Sequence, residues 1–350
     1  MRRRLNILLI ALLACLLLTG AGFLHVRSYG LDSQPLASRD TRPETLPLLQ
    51  RRVPEARGRI LAVVTSHARI GQDGYRTGYE LTELARAYYV FVANGYEVDI
   101  ASPAGGEPPM RLDDELIEAD YAFLNDPTAR AKLKHSLALA EVEPERYAAV
   151  YFVGGKGTMF DFPGNPQIAR IVRSVYPRGV IGAVCHGPAA LVDVAQDNGQ
   201  PLLRGRRVTG FSNAEELFLI ENAREVFPFL LQDRLRAQGA HYIEGPMYLD
   251  NTVTDGRLIT GQNPWATWSV AEAMIRALGH TPVPREPTSE ELAVRILSVY
   301  AREGREAARQ VRDATPQADR RLLLMHALVA AMQWRLRDAY ALQDLAVDRS

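Results

Sequence analysis

The residues best suited to do chemistry cluster in one stretch, Val180-Ile181-Gly182-Ala183-Val184-Cys185-His186-Gly187-Pro188. An apolar run ends at Cys185, and Pro188 is placed to open a helix, because its fixed φ and missing N–H suit a first helical turn. Ala183 and Gly187, two residues before and two after the thiol, match the spacing of a nucleophile elbow, a sharp strand-to-helix turn that tolerates little side-chain bulk. This pattern predicts a nucleophilic Cys185 at a sheet edge, its pKa lowered by the following helix N-terminus and assisted by the neighbouring His186 imidazole. A second turn, Val153-Gly154-Gly155-Lys156-Gly157-Thr158, also follows an apolar run. It is not a phosphate loop, because Gly157 rather than Ser or Thr follows Lys156 and the glycine spacing is too short. Exposed backbone N–H groups at Gly154 and Gly155, beside Cys185, would instead suit an oxyanion.

These turns need a sheet to carry them. Ile60–Thr65, Glu97–Ala101, Ala148–Val153 and Val180–Val184 are short apolar runs, and Tyr79–Ala93 carries Leu81, Leu84, Ala85, Tyr88 and Val92 on one helical stripe. Continuous apolar strands separated by helices predict a doubly wound α/β fold with a mostly parallel sheet. Further strands are expected at Arg207–Phe211, at His241–Glu244 and across Val253–Thr260 around Asp255-Gly256, with a helix over Pro264–Leu278. In such sheets ligands bind beyond the carboxyl ends of the strands.

Both ends of the chain differ from this centre. Arg2, Arg3 and Arg4 precede a charge-free run, Leu5–Leu24. About 20 apolar residues at a 1.5 Å rise cross roughly 30 Å of hydrocarbon, so residues 1–27 are expected to be a transmembrane anchor with the main domain outside the cytoplasm. The competing expectation is a cleaved signal peptide that leaves a secreted or periplasmic protein. Either way the protein would sit in a bacterial-type cell envelope. Residues 28–57, with four prolines, are expected to be a linker, 58–282 the α/β domain and 283–350 a helical extension. Thr288 to Glu291 is a capping box, and a second helical run covers 319–346.

Composition excludes several classes. At 47% apolar and 23% charged, the 350-residue chain is neither disordered nor a small disulfide scaffold. Forty-one basic residues balance forty-one acidic ones, so no net field draws it to nucleic acid. Cys15 and Cys185 lie too far apart, in too different surroundings, to predict a disulfide. His67, His135, His241 and His280 are scattered without ligand spacing, so no metal site is expected.

Four motifs in order resemble the ThiJ/PfpI superfamily, which has a flavodoxin-like, class I glutamine amidotransferase-like fold. They are Thr77-Gly78 with Glu83, Gly155-Lys156-Gly157-Thr158-Met159-Phe160-Asp161, Ala183-Val184-Cys185-His186-Gly187-Pro188, and Thr254-Asp255-Gly256-Arg257-Leu258-Ile259-Thr260-Gly261. The resemblance spans Arg59–Gly279 and is closest to the heat-shock chaperone and glyoxalase III branch. It implies Cys185 as nucleophile, His186 as its imidazole, Glu83 as the carboxylate against the thiol, and Glu216 as the acid that orients the histidine. Periodicity alone does not separate Glu83 from Glu80, and Glu215 adjoins Glu216. Gly155 and the His186 amide correspond to the oxyanion contacts. The activity implied is conversion of a small carbonyl substrate, a 2-oxoaldehyde such as methylglyoxal, to a 2-hydroxy acid with no cofactor, by a homodimer as is usual in the family. A holdase chaperone and a Cys-dependent amide or peptide hydrolase are the alternative activities; ammonia transfer is disfavoured because no His-x-Glu pair follows near the domain's end.

Overall fold

Seven strands form the central sheet of a computed structural model that describes residues 27–71, 74–112 and 115–347. In chain order they are β1 (Gly58–Val63), β2 (Tyr96–Ser102), β3 (Leu137–Ala138), β4 (Ala149–Phe152), β5 (Val180–Val184), β6 (Thr252–Asp255) and β7 (Leu258–Gly261). The sheet order is β6-β7-β5-β4-β1-β2-β3, parallel throughout except for the β6–β7 hairpin. That hairpin turns at Asp255-Gly256, where the sequence places the turn. β4 and β5 are buried along their whole length, as strands covered on both faces must be. Their apolar side chains supply about 1.5–3 kcal/mol each for the larger residues.

Four helices matter for the site: α1 (Leu81–Ala93), α2 (Pro166–Val175), α3 (Asn213–Leu219) and α4 (Thr267–Ala277). α1 is buried at every position but Val92, so it is a core helix rather than a half-exposed one. α4 lies directly on β5, where a Cβ on Gly182 would meet the Met274 sulfur at 2.1 Å. The expected strands at 207 and 241 pair with each other only, as a two-residue parallel ribbon outside the main sheet.

The chain divides into two compact units, Ala37–Glu286 and the residues up to Leu36 together with those from Pro287 onward. Residues 37–57, expected to belong to a linker, are part of the α/β unit. Leu46 and Leu48 are buried there, and the N–H groups of Val53 and Arg57 donate to the carbonyls of Ala93 and Gly95 at 2.8 Å. Among its described residues the other unit holds four α-helices, α5 (Ser289–Glu303), α6 (Arg305–Ala314), α7 (Arg320–Met332) and α8 (Leu336–Ala346), where the sequence led us to expect a pair. The Thr288 capping box closes as read, with Glu291 accepting from the Thr288 N–H at 2.9 Å. Gly304 separates α5 from α6, and Trp334, with φ at 60°, breaks the run expected over 319–346 without any Gly or Pro to announce it.

The expected N-terminal membrane segment is corrected. Among the described residues no helix is long and apolar enough to cross a membrane. The longest, α5, has 15 residues and carries charges along its length, against the roughly 20 apolar residues a span requires. The Leu5–Leu24 run lies outside the described residues. The fold class shown among the described residues is the α/β fold with a helical extension, and they hold no membrane span to support the membrane partner or the cell-envelope localisation inferred from that run.

Candidate active site

The parallel strands deliver their C-terminal ends to one place. Cys185 directly follows β5 with φ at 59°, a left-handed conformation rare for a residue with a side chain and costly enough to be kept only where neighbours enforce it. Its N–H donates to Gly261 O at 3.0 Å on one side, and its carbonyl accepts from the Phe211 N–H at 2.8 Å on the other. Gly187 permits the turn, since a Cβ there would meet Phe152 O at 2.3 Å. The sharp turn at the thiol is present, but Pro188 opens the 3-10 turn Gly187–Leu191 and not the helix expected from the sequence.

Three of the side chains singled out in the sequence converge on the thiol or on each other. His186 Nδ1 lies 3.3 Å from Cys185 Sγ, and His186 Nε2 lies 2.5 Å from Glu216 Oε2. The imidazole is 2% exposed and stacks on Phe211 with ring centres 4.6 Å apart. Glu216, in the first turn of α3, is thus the acid that meets the histidine; Glu215 points elsewhere. Glu83, in the first turn of α1, is fully buried and hydrogen-bonds the thiol. Its Oε2 also accepts the Gly154 N–H at 2.7 Å. Tyr151 on β4 donates its hydroxyl to Glu83 O at 2.9 Å, fixing that turn of α1 against the sheet.

This geometry changes two expectations. Gly154 was read with Gly155 as an oxyanion donor, but its N–H is committed to Glu83. A Cβ at Gly154 would lie 2.5 Å from Glu83 Oε2 and 2.8 Å from Cys185 Cβ, so its role is to let the carboxylate approach the thiol. The N–H groups of Gly155 and His186 find no acceptor among the described residues. Thr158 Oγ1 sits 2.8 Å from Gly155 O and 3.1 Å from His186 O, tying the two turns that carry them.

The second change concerns the thiol itself. Burial pushes Cys185 well above the ordinary thiol range, and the carboxylates of Glu83 and Glu80 push it further. The expected depression does not occur because the element after the elbow is a five-residue 3-10 turn, Gly187–Leu191, too short for a helix dipole to outweigh desolvation. A thiolate and a carboxylate in contact in a dry site cannot both ionise cheaply, so Cys185 and Glu83 hold a proton between them. Glu80 was not singled out by its position beside the helix stripe, and its charge acts on the thiol all the same. Among the described residues no three His, Cys, Asp or Glu side chains converge as metal ligands would.

Residues 75–277 match the model of the DJ-1/PfpI family. The chain belongs to the DJ-1/PfpI family. Within it, glyoxalase 3 of Candida albicans is 31% identical over 231 residues, covering 62% of this chain and 97% of that protein. The crystal structure of the Candida albicans glyoxalase III superposes with a TM-score of 0.56 at 30% identity, covering 63% of this chain and 97% of its own. The 24 kDa Rapid Encystment Protein of Francisella tularensis superposes at 0.60 with 38% identity, covering 63% and 99%. All of these cover about the same share of this chain, and the DJ-1/PfpI match takes in every residue of the site just described.

Proposed function

We propose that this DJ-1/PfpI domain is a glutathione-independent glyoxalase of the glyoxalase III type, converting small 2-oxoaldehydes to 2-hydroxy acids through Cys185. The observation that carries the reading is one thiol held between two proton carriers, His186 Nδ1 at 3.3 Å and the hydrogen-bonded Glu83 carboxylate. The relatives named as glyoxalases support the choice among thiol chemistries.

The chemistry follows from the contacts. With Nε2–H donated to Glu216, the neutral imidazole presents the Nδ1 lone pair to the thiol. As Cys185 attacks the aldehyde carbon of methylglyoxal, the thiol proton passes to Nδ1 and a carbon–sulfur bond forms. The resulting hemithioacetal oxyanion takes hydrogen bonds from the Gly155 and His186 N–H groups. Glu83 removes the proton from the former aldehyde carbon and returns one to the adjacent carbon through an enediol, leaving a 2-hydroxy thioester. Water then cleaves the thioester, the thiol recovers its proton, and lactate leaves. The balance is methylglyoxal plus water to lactate, so no external oxidant or reductant is required.

The test is to incubate the full chain with methylglyoxal in the absence of glutathione and follow loss of substrate and appearance of D-lactate. Wild-type turnover that Cys185→Ala abolishes is the expected result. No lactate from the wild type, or the same lactate from Cys185→Ala, would overturn the reading.

A further inference from the structure

Glu215 is fully buried and carries four hydrogen bonds, none of which touches the thiol, the imidazole or Glu216. Oε2 accepts from the Ser212 N–H at 2.9 Å and the Ser212 hydroxyl at 2.8 Å. Oε1 accepts from the Tyr248 N–H at 2.8 Å and from Asn263 Nδ2 at 2.9 Å. All four partners donate. A carboxamide here would turn its own N–H groups toward at least one pair of donors, so the position selects a carboxylate on hydrogen-bonding grounds alone.

The four donors come from three separate pieces of chain. Ser212 is the N-cap of α3, Tyr248 sits in the loop before β6 with φ at 56°, and Asn263 follows β7. Asn263 is itself held, because its Oδ1 accepts the Trp265 N–H at 3.2 Å and its Nδ2 also donates to Leu249 O at 2.9 Å. The Tyr248 hydroxyl closes the set by donating to Glu215 O at 3.2 Å. Glu216 contrasts with its neighbour. It meets His186 through Oε2, and its Oε1 has no hydrogen-bond partner among the described residues. No second hydrogen bond to the Glu216 carboxylate steers it among the described residues, so its aim depends on the backbone of the first turn of α3, a helix of only seven residues.

We infer that Glu215 is the positioning residue of the catalytic pair, a buried carboxylate that locks the first turn of α3 to the Tyr248 loop and Asn263 so that Glu216 meets His186. This rests on the acid–base role given to His186 above. Glu215 touches no reacting atom and acts through Glu216. The sequence signal was the capping box Ser212-Asn213-Ala214-Glu215, which by itself describes only a helix start.

The experiment compares Glu215→Gln and Asn263→Ala with Asp126→Ala in the full chain. Asp126 caps the helix Pro127–Lys134 and accepts from the Tyr89 hydroxyl at 3.3 Å, with no hydrogen bond to Cys185, His186, Glu83, Glu215 or Glu216, so its loss controls for destabilisation. Four readouts are taken: steady-state kinetics with methylglyoxal (kcat and KM together), the low-field proton resonance of the short His186–Glu216 hydrogen bond, the pH profile of Cys185 alkylation by iodoacetamide, and the melting temperature. Glu215→Gln and Asn263→Ala should each lower kcat about tenfold or more with KM little changed, within the ~100-fold that an ångström of misplacement costs. Both should also shift or abolish the low-field resonance and move the alkylation profile. Asp126→Ala should lower the melting temperature and leave the other three readouts as in the wild type. An unchanged resonance and kcat in the Glu215 and Asn263 variants would overturn the inference, as would losses that merely follow melting temperature through all three. If Glu215→Gln does not fold, Asn263→Ala decides on the same readouts. If the wild type does not turn over methylglyoxal, only the glyoxalase reading fails, and the resonance and alkylation profile still decide for or against Glu215.

Discussion

Glu83 Oε2 lies 2.7 Å from the backbone nitrogen of Gly154, and this hydrogen bond ties the carboxylate itself to the turn beside Cys185. The contact exists because residue 154 lacks a side chain. In Gly154→Ala the new Cβ would lie 2.5 Å from Glu83 Oε2, 2.7 Å from Val184 O and 2.8 Å from Cys185 Cβ. Two of these neighbours are backbone or Cβ atoms that cannot swing away. Turnover of methylglyoxal should fall about 100-fold through displacement of Glu83, and the urea midpoint should drop by the equivalent of about 1–3 kcal/mol from overpacking. Wild-type activity in this variant would show that Glu83 does not need its present place.

Glu83 also sets the ionisation of the thiol. Its negative charge disfavours the Cys185 thiolate, so removing that charge must lower the thiol pKa even though burial still raises it. Glu83→Gln should therefore shift the pH midpoint of Cys185 alkylation downward and make the thiol more reactive near neutral pH. Turnover should move the opposite way, falling roughly 100- to 10,000-fold with the loss of a proton carrier. Alkylation rates against pH, set beside kcat, check the split. A midpoint that rises, or activity that survives, would remove Glu83 from the mechanism.

The contrast between what was and was not legible follows from the range of each contact. Cys185 could be read because the elbow is local, with Ala183, Gly187 and Pro188 all within three residues of the thiol. The parallel sheet could be read because β4 and β5 are continuous apolar runs. Glu83 and Glu80 flank the same stripe, so the choice between them came from family likeness and not from period. The Gly154 commitment was not legible, because it depends on the distance between residues 71 apart in the chain. The same applies to Arg86, which sits off the apolar stripe yet is 3% exposed. Burial of α1 on nearly all sides, which the stripe does not reveal, puts it there.

Gly182 tests how the elbow strand is seated. Its absent side chain admits Met274, whose sulfur, Cε and Cγ would all lie within 3.0 Å of a Cβ placed there. Gly182→Ala should cost about 1–3 kcal/mol in chemical denaturation, because three atoms of the methionine must move and not only its tip. Shortening the methionine in Gly182→Ala/Met274→Ala should restore part of the loss caused by the first substitution when compared with Met274→Ala alone. Strict additivity of the two single effects would mean that they do not meet.

Arg86 and Asp120 provide the strongest stability prediction. The guanidinium on α1 meets the carboxylate through Nη2–Oδ2 at 3.0 Å and Nε–Oδ1 at 3.3 Å, with the two side chains 4% and 0% exposed. Asp120 Oδ2 also accepts the Ile117 N–H at 2.9 Å, so the pair anchors the start of the helix Glu118–Leu124. Removing one member leaves a charge in a dry site, and Asp120→Ala should cost about 3–5 kcal/mol in urea denaturation. Replacing the remaining charge as well, in Arg86→Met/Asp120→Ala, should recover part of that cost, because the guanidinium no longer has to be held in a dry site without the Asp120 carboxylate. The recovery should be incomplete, since the Ile117 N–H still lacks its acceptor. A double variant no more stable than Asp120→Ala would mean that packing around Arg86, and not its charge, dominates the energetics of this contact.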